Sequence, residues 1–307
     1  MNKNSQWNTM LGLKALPYGS IYPIDNCETE QYVKDIVKLS IDKGCLSDTN
    51  IHNNFTEQFR KWILQSKLHT INGLDLFPAA VFCNGTTEAF DKFYLKHSTK
   101  RLRYFKGEYM YHINIGKFYF KEVQLLDNES IKENDVVVVS YPFANNGNKH
   151  HQLDNILEQC NKLNVPVLID CSYFNISGGL EFDFTHPCIE EIVFSLSKFM
   201  PDMGSMRIGI RFTRTDNDDP LFVYNKNKYV NRLSAAVGLE IINKYPSDYN
   251  FNTYRNMQLK FCRELGIDST PTVVFGTSTT KFFEYNRGGD ENRLCFSKYL
   301  QSGILPN

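Results

Sequence analysis

The sequence predicts an α/β fold: a mostly parallel central sheet with flanking helices, followed by a small α+β C-terminal domain. Three observations carry this expectation. Short apolar runs rich in β-branched residues recur through the middle of the chain, at Ala79–Cys83, Val136–Ser140, Val165–Asp170, Ile192–Leu196 and Arg207–Phe212. Continuous runs of this kind are strands buried on both faces. Between two of them, Lys149–Asn164 places Leu153, Ile156, Leu157, Cys160 and Leu163 at helical spacing. Strand, helix, strand is the unit of a parallel sheet with right-handed crossovers. After Thr213 the pattern changes. Tyr229–Asn243 and Thr253–Leu265 read as helices, the second stopped by Gly266, and short strands follow at Thr272–Phe275, Lys281–Tyr285 and Arg293–Ser297.

Of the 307 residues, 42% are hydrophobic, enough for a large core and a smaller domain beside it. The polar stretch Asp216–Pro220 is a natural boundary. The expected division is therefore an N-terminal segment (1–45) packing near the small domain or the site entrance, a large domain (46–215) and a small domain (216–307). Lys+Arg and Asp+Glu both number 34, so no basic surplus points to nucleic acid. The eight cysteines show no CxxC pair and no framework spacing, which points to reduced thiols, a cytoplasmic location and no metal centre. Lys14 interrupts the only apolar stretch near the N-terminus, which makes it a poor signal peptide, and no apolar run approaches the roughly 18 residues of a membrane span.

Three motifs could carry chemistry. Ser195-Leu196-Ser197-Lys198 closes an apolar strand and is followed by Gly204 and Arg207. A lysine there is either an ordinary surface residue or an amine whose surroundings disfavour the ammonium, as a nucleophile toward a carbonyl requires. The hydroxyls and Arg207 suit a phosphate. Asp170-Cys171-Ser172-Tyr173 closes the strand Val165–Ile169, at the carboxyl edge where open parallel sheets bind ligands. Asp170 there is a turn cap or a partner for a ring nitrogen. Asn84-Gly85-Thr86-Thr87-Glu88-Ala89 joins a strand to a helix, either as a capped turn or as an anion cradle at a helix N-terminus.

In this order, from about Phe82 to Phe212, the motifs resemble the class I/II aminotransferases, the fold-type I enzymes of pyridoxal 5′-phosphate (PLP). A weaker match runs over Arg287–Leu300. The resemblance implies that Lys198 holds PLP as a Schiff base, that Asp170 partners the pyridine nitrogen and that Tyr173 partners the ring oxygen. It further implies that Gly85, Thr86, Thr87, Ser195, Ser197 and Arg207 form the phosphate cup. Tyr109, in Gly107-Glu108-Tyr109-Met110-Tyr111-His112, falls where the family stacks an aromatic ring on the cofactor. Arg293 falls where the family grips the substrate carboxylate. The implied function is amino-group transfer from an amino acid or related amine by a homodimer. The alternatives are a PLP lyase, decarboxylase or cyclase on the same scaffold, or an inactive binding protein.

The chain also departs from the family pattern. The Asn-Pro-Thr-Gly loop becomes Tyr141-Pro142-Phe143-Ala144-Asn145-Asn146-Gly147, which puts Ala144 at the ring-binding asparagine and leaves Asn145 to serve after a one-residue shift. No convincing match precedes Phe55–Trp62 for the tyrosine that many relatives send to the partner's phosphate. The chain is short after Lys198, so a trimmed small domain is expected.

Overall fold

The computed structural model describes residues 12–216 and 219–306. Strands β1 (Thr70–Asn72) and β7 (Glu181–Asp183) form a short parallel pair. The large sheet contains β2 (Ala79–Asn84), β3 (Arg101–Tyr104), β4 (Glu122–Leu125), β5 (Asp135–Ser140), β6 (Val167–Asp170), β8 (Ile189–Ser195) and β9 (Ile208–Thr213). Their spatial order is β2-β9-β8-β6-β5-β3-β4. Neighbours pair in parallel except around β9, which is antiparallel to both β2 and β8. The link from β8 to β9 carries only the short helix Met203–Met206, and a strand returning over so short a link does not make a full crossover. The fold class expected from the sequence is the one observed.

The valine run of β5 shows why these strands are continuous rather than alternating. Val137 and Val139 enter a core cluster with Phe55, Phe59, Phe194 and Val237, while Val136 and Val138 enter a second cluster with Phe90, Phe93 and Leu168. Both faces of the sheet are covered, so both sets of side chains must be apolar; each fully buried valine contributes roughly 1.5–3 kcal/mol. Helix Leu153–Leu163 turns Leu153, Ile156, Leu157 and Cys160 toward this core and ends at Asn164, whose φ of 52° stops it.

β3 and β4 were absent from the sequence expectation. Arg101 and Arg103 make β3 look like a loop, yet both are buried. Asp135 neutralises them, with Arg101 Nε at 2.6 Å and Arg103 Nη1 at 2.6 Å.

A small antiparallel sheet holds β10 (Asp268–Ser269), β11 (Phe275–Ser278) and β12 (Asn292–Cys295). The strand expected at Thr272–Phe275 starts three residues later. That expected at Lys281–Tyr285 is instead a single 3-10 turn, Phe283–Tyr285. Ser278 Oγ accepts from the backbone N–H groups of Thr280 and Lys281, and Phe282 has φ 60°, so the chain cannot run extended there. Leu13, Tyr18 and Ile24 pack with Phe261, Val274, Phe275 and Phe296 beside this sheet. Helices Cys27–Asp42 and Arg232–Lys244 give Val33, Ile36, Ala235 and Val237 to the large core. Among the described residues no helix is long and apolar enough to cross a membrane.

Candidate active site

The carboxyl ends of β2, β5, β6 and β8 fall at one edge of the sheet and open onto a cavity. Thr86, Thr87, Tyr109, Asp170, Tyr173, Ser195, Ser197, Lys198 and Arg207 all line it, together with Ile21, Ser140, Pro142, Ala144 and Ser172.

One wall is the turn from β2 into helix Thr86–Lys96. Gly85 makes that turn with φ 75° and ψ 164°. A Cβ at Gly85 would lie 2.3 Å from Arg207 Nη2, so only glycine lets the guanidinium lie over the turn. Glu88 Oε2 accepts from Asn84 N at 2.7 Å and ties the helix start to the strand end. Arg207 sits in the left-handed region, φ 54° and ψ 59°, which costs a non-glycine residue about 1–3 kcal/mol. The strain buys a donor at the cavity: Nη2 gives a hydrogen bond to Thr87 Oγ1 at 2.7 Å. Ser195 Oγ donates to Ser197 Oγ at 2.7 Å and accepts from Ser197 N at 3.0 Å. With the free N–H groups of the helix's first turn, these form a concave set of donors suited to an anion.

Lys198 follows β8 directly and projects into the cavity. Its Nζ donates to Ile21 O at 3.2 Å. Burial lowers its pKa below that of an ordinary lysine; Cys295 works the other way, while the charges of Arg293 and Arg207 lower it further. The amine is thus biased toward the neutral form.

Asp170 ends β6 and is buried. Its Oδ1 accepts from Ser172 N at 3.0 Å and from Ser172 Oγ at 2.5 Å. Ser172 Oγ also lies 3.2 Å from Thr86 Oγ1, which joins this turn to the anion cradle. Behind it, His112 Nε2 stands 3.8 Å from Asp170 Oδ2, and His112 Nδ1 meets Tyr94 Oη at 2.5 Å. Tyr173 is buried beside Phe275; burial raises its pKa, and nearby Arg293 and Arg287 oppose that rise. Its hydroxyl therefore remains a protonated donor. Across the cavity, Tyr109 is 41% exposed, yet desolvation on its cavity side pushes it up to about 12, with the charges of Tyr173 and Asp170 adding to the shift and Arg207 opposing it.

Three sequence-derived candidates are not among the residues lining the cavity: Gly85, which lies under the Arg207 guanidinium, Asn145 and Arg293. Asn145 turns its side chain toward Gly107, Gly289 and Glu291 O, while Ala144 takes the cavity wall. Arg293 is buried behind that wall: Nη1 donates to Ala144 O, and the guanidinium covers the Phe275 ring at 4.2 Å.

Sequence reading passed over Ser172, His112, Ile21 and Arg287. His112 is three residues past Tyr109 at the start of helix Met110–Tyr119, a spacing that puts both on one side. Ser172 lay inside a motif already singled out. Ile21 and Arg287 left no local signal.

No family model and no curated protein sequence matches the chain. Solved structures do. Aspartate aminotransferase from Thermus thermophilus with maleate is similar at 13% identity and TM-score 0.67, over 99% of this chain and 94% of that one. MppP soaked with the product 2-ketoarginine is similar at 12% identity and TM-score 0.67, over 93% and 95%. The histidinol-phosphate aminotransferase from Clostridium acetobutylicum is similar at 16% identity and TM-score 0.56, over 85% and 81%. The fold of this chain is that of the class I/II aminotransferases.

Proposed function

We propose that the chain is a PLP-dependent aminotransferase acting on an amino acid or related amine. One observation carries the reading: a lysine biased toward its neutral form, a buried carboxylate, a buried phenol and a glycine-floored anion cradle all face one cavity. Each group fits a different part of PLP. The cradle of Gly85, Thr86, Thr87, Ser195, Ser197 and Arg207 would take the phosphate, Asp170 the pyridine nitrogen, Tyr173 the ring oxygen and Lys198 the aldehyde carbon. Tyr109 would cover the ring face.

When bound, PLP supplies an electron sink for the bond broken at the substrate's Cα. The chain's own contributions are positional and electrostatic. Lys198 Nζ, whose pKa burial lowers, would be the group that takes and returns the proton at the substrate's Cα. Asp170, fixed by Ser172, would hold the ring nitrogen and favour its protonated state. Tyr173 would donate to the ring oxygen. Arg293, buried behind Ala144, would offer a substrate carboxylate its planar fork only by giving up its contact with Ala144 O. The reading includes a homodimer, the commonest closed oligomer.

The test is reduction with borohydride after PLP is added, followed by peptide mapping. A single labelled peptide containing Lys198, and consumption of an amino acid by the unreduced protein, are expected. Labelling elsewhere, or no yellow complex, refutes the assignment. A monomer in light scattering that is fully active refutes the dimer.

A further inference from the structure

Two buried carboxylates of this chain meet arginines: Asp135 faces Arg101 and Arg103, and Glu191 faces Arg211. Glu108 is 2% exposed and is held by uncharged donors instead. Its Oε1 accepts from the Tyr109 backbone N–H at 2.7 Å and from the Ser140 hydroxyl, and its Oε2 accepts from the Ser140 backbone N–H at 2.9 Å. Ser140 Oγ already accepts from Ala144 N at 2.8 Å, which leaves its own proton for Glu108. A carboxylate, acceptor on both oxygens, satisfies all three donors; an amide of the same shape would turn N–H groups toward one of the two backbone donors. Burial raises the Glu108 pKa, and His112 and the hydrogen bonds from Ser140 and Tyr109 oppose that rise. A carboxylate so deep is costly unless contacts of this kind are what it is there to make.

The donors belong to two walls of the cavity. Tyr109 lines it and stands at the start of helix Met110–Tyr119, after a turn in which Glu108 N donates to Phe105 O at 3.2 Å. Ser140 ends β5 and lines the cavity with Pro142 and Ala144. Donation runs from Ala144 N to Ser140 Oγ and on to Glu108 Oε1, the same oxygen that takes the Tyr109 N–H. One carboxylate oxygen thus ties the start of the Tyr109 helix to the end of β5, 32 positions away. Tyr109 needs such a tie. Its side chain is 41% exposed, and its aromatic neighbours, Tyr111 at 6.1 Å and His112 at 5.7 Å, ride on the same helix. They move with it and cannot fix it against the sheet.

We infer that Glu108 is a positioning residue of this site: its buried carboxylate anchors the Tyr109 turn to the end of β5 and so sets where the Tyr109 ring stands in the cavity. The inference rests on the cofactor reading proposed above, in which Tyr109 would cover the ring of PLP. Glu108 is not itself a lining residue and acts through Tyr109. Contacts between aromatic rings depend on offset and tilt, so a loosened anchor weakens stacking without removing the ring.

The test is a double-mutant cycle on the PLP affinity of the full chain, with the induced circular dichroism of the bound cofactor as a second readout. Glu108→Gln keeps length and shape but sets an N–H group against a backbone donor. It should weaken PLP binding on the order of 10-fold, near the cost of one unmet buried donor, and reduce the induced dichroism. Tyr109→Ala removes the ring; on that background Glu108→Gln should leave the Kd for PLP unchanged, since no ring is left to place. Glu108→Asp, a carboxylate one methylene short, should show the same non-additivity and serves in place of the Gln variant if that one unfolds. A loss of affinity that carries over to the Tyr109→Ala background, or wild-type Kd and dichroism in Glu108→Gln, overturns the inference. Hydrogen exchange resolved at the Tyr109 and Ser140 amides reads the anchor without any cofactor: both should exchange on the order of 10-fold or more faster in Glu108→Gln, and unchanged exchange overturns it. A protein that binds no PLP yet shows the faster exchange keeps the anchor and loses the aminotransferase reading. One that binds PLP with affinity and exchange indifferent to Glu108→Gln does the reverse.

Discussion

Ser172 Oγ donates to Asp170 Oδ1 at 2.5 Å, and the Ser172 backbone N–H reaches the same oxygen at 3.0 Å. The two contacts pin one carboxylate oxygen and leave Oδ2 turned toward His112. The carboxylate is therefore oriented before any ligand arrives. Asp170→Ala should retain PLP but lose turnover by about 10²-fold or more, the cost of removing a preorganised electrostatic group. Ser172→Ala leaves the backbone contact in place and should cost about 10-fold, near the worth of one hydrogen bond to a charged acceptor. Measured kcat for both variants at saturating PLP decides the matter: equal kcat for Asp170→Ala and wild type would remove Asp170 from the chemistry.

Arg207 should act on cofactor retention rather than on turnover. Its guanidinium is presented by a left-handed backbone over Gly85 and Thr87. Arg207→Lys keeps a charge but loses the fork, so PLP should dissociate on the order of 10-fold more readily, with kcat at saturating PLP little changed. An unchanged Kd for PLP would place the phosphate elsewhere.

The pH dependence of stability has a definite sign. Lys198 has a pKa below its usual 10.5 in the folded chain, so burial of the ammonium destabilises the fold. Below the lowered value both states are protonated and the penalty is complete. Between that value and 10.5 the unfolded chain binds the extra proton, and stability rises with pH. Without PLP, Lys198→Met should therefore be more stable than wild type at neutral pH, with the difference shrinking as pH approaches 10.5. Urea unfolding at several pH values measures it, and a difference independent of pH would contradict the burial of the charge.

Arg293→Lys should leave PLP absorbance unaltered and weaken amino-acid binding, because an ammonium cannot copy two parallel hydrogen bonds. Steady-state kinetics should show loss in both KM and kcat, since a misplaced carboxylate also misplaces the Cα bond. Intact kinetics with amino acids would mean that the carboxylate is read elsewhere.

Much of this molecule is legible along the chain. The apolar runs from Ala79 to Phe212 and the crossover helix established the parallel sheet, because strands covered on both faces admit few polar residues. The same runs pointed to the edge of the sheet where the cavity opens, since a strand's end marks where Asp170, Lys198 and Gly85 must emerge. What the sequence could not show were relationships between residues far apart or turned by one position. β3 was invisible because Arg101 and Arg103 are buried only by grace of Asp135, some thirty residues on. Ile21 reaches Lys198 across 177 positions. Asn145 faces the Arg287 loop and Ala144 the cavity, a choice that neighbouring residues make by backbone direction, not by composition. The contacts of Arg293 with Ala144 O and the Phe275 ring are likewise a tertiary fact: a guanidinium's partners come from whichever segments pack around it, and local periodicity reports only burial along a single element.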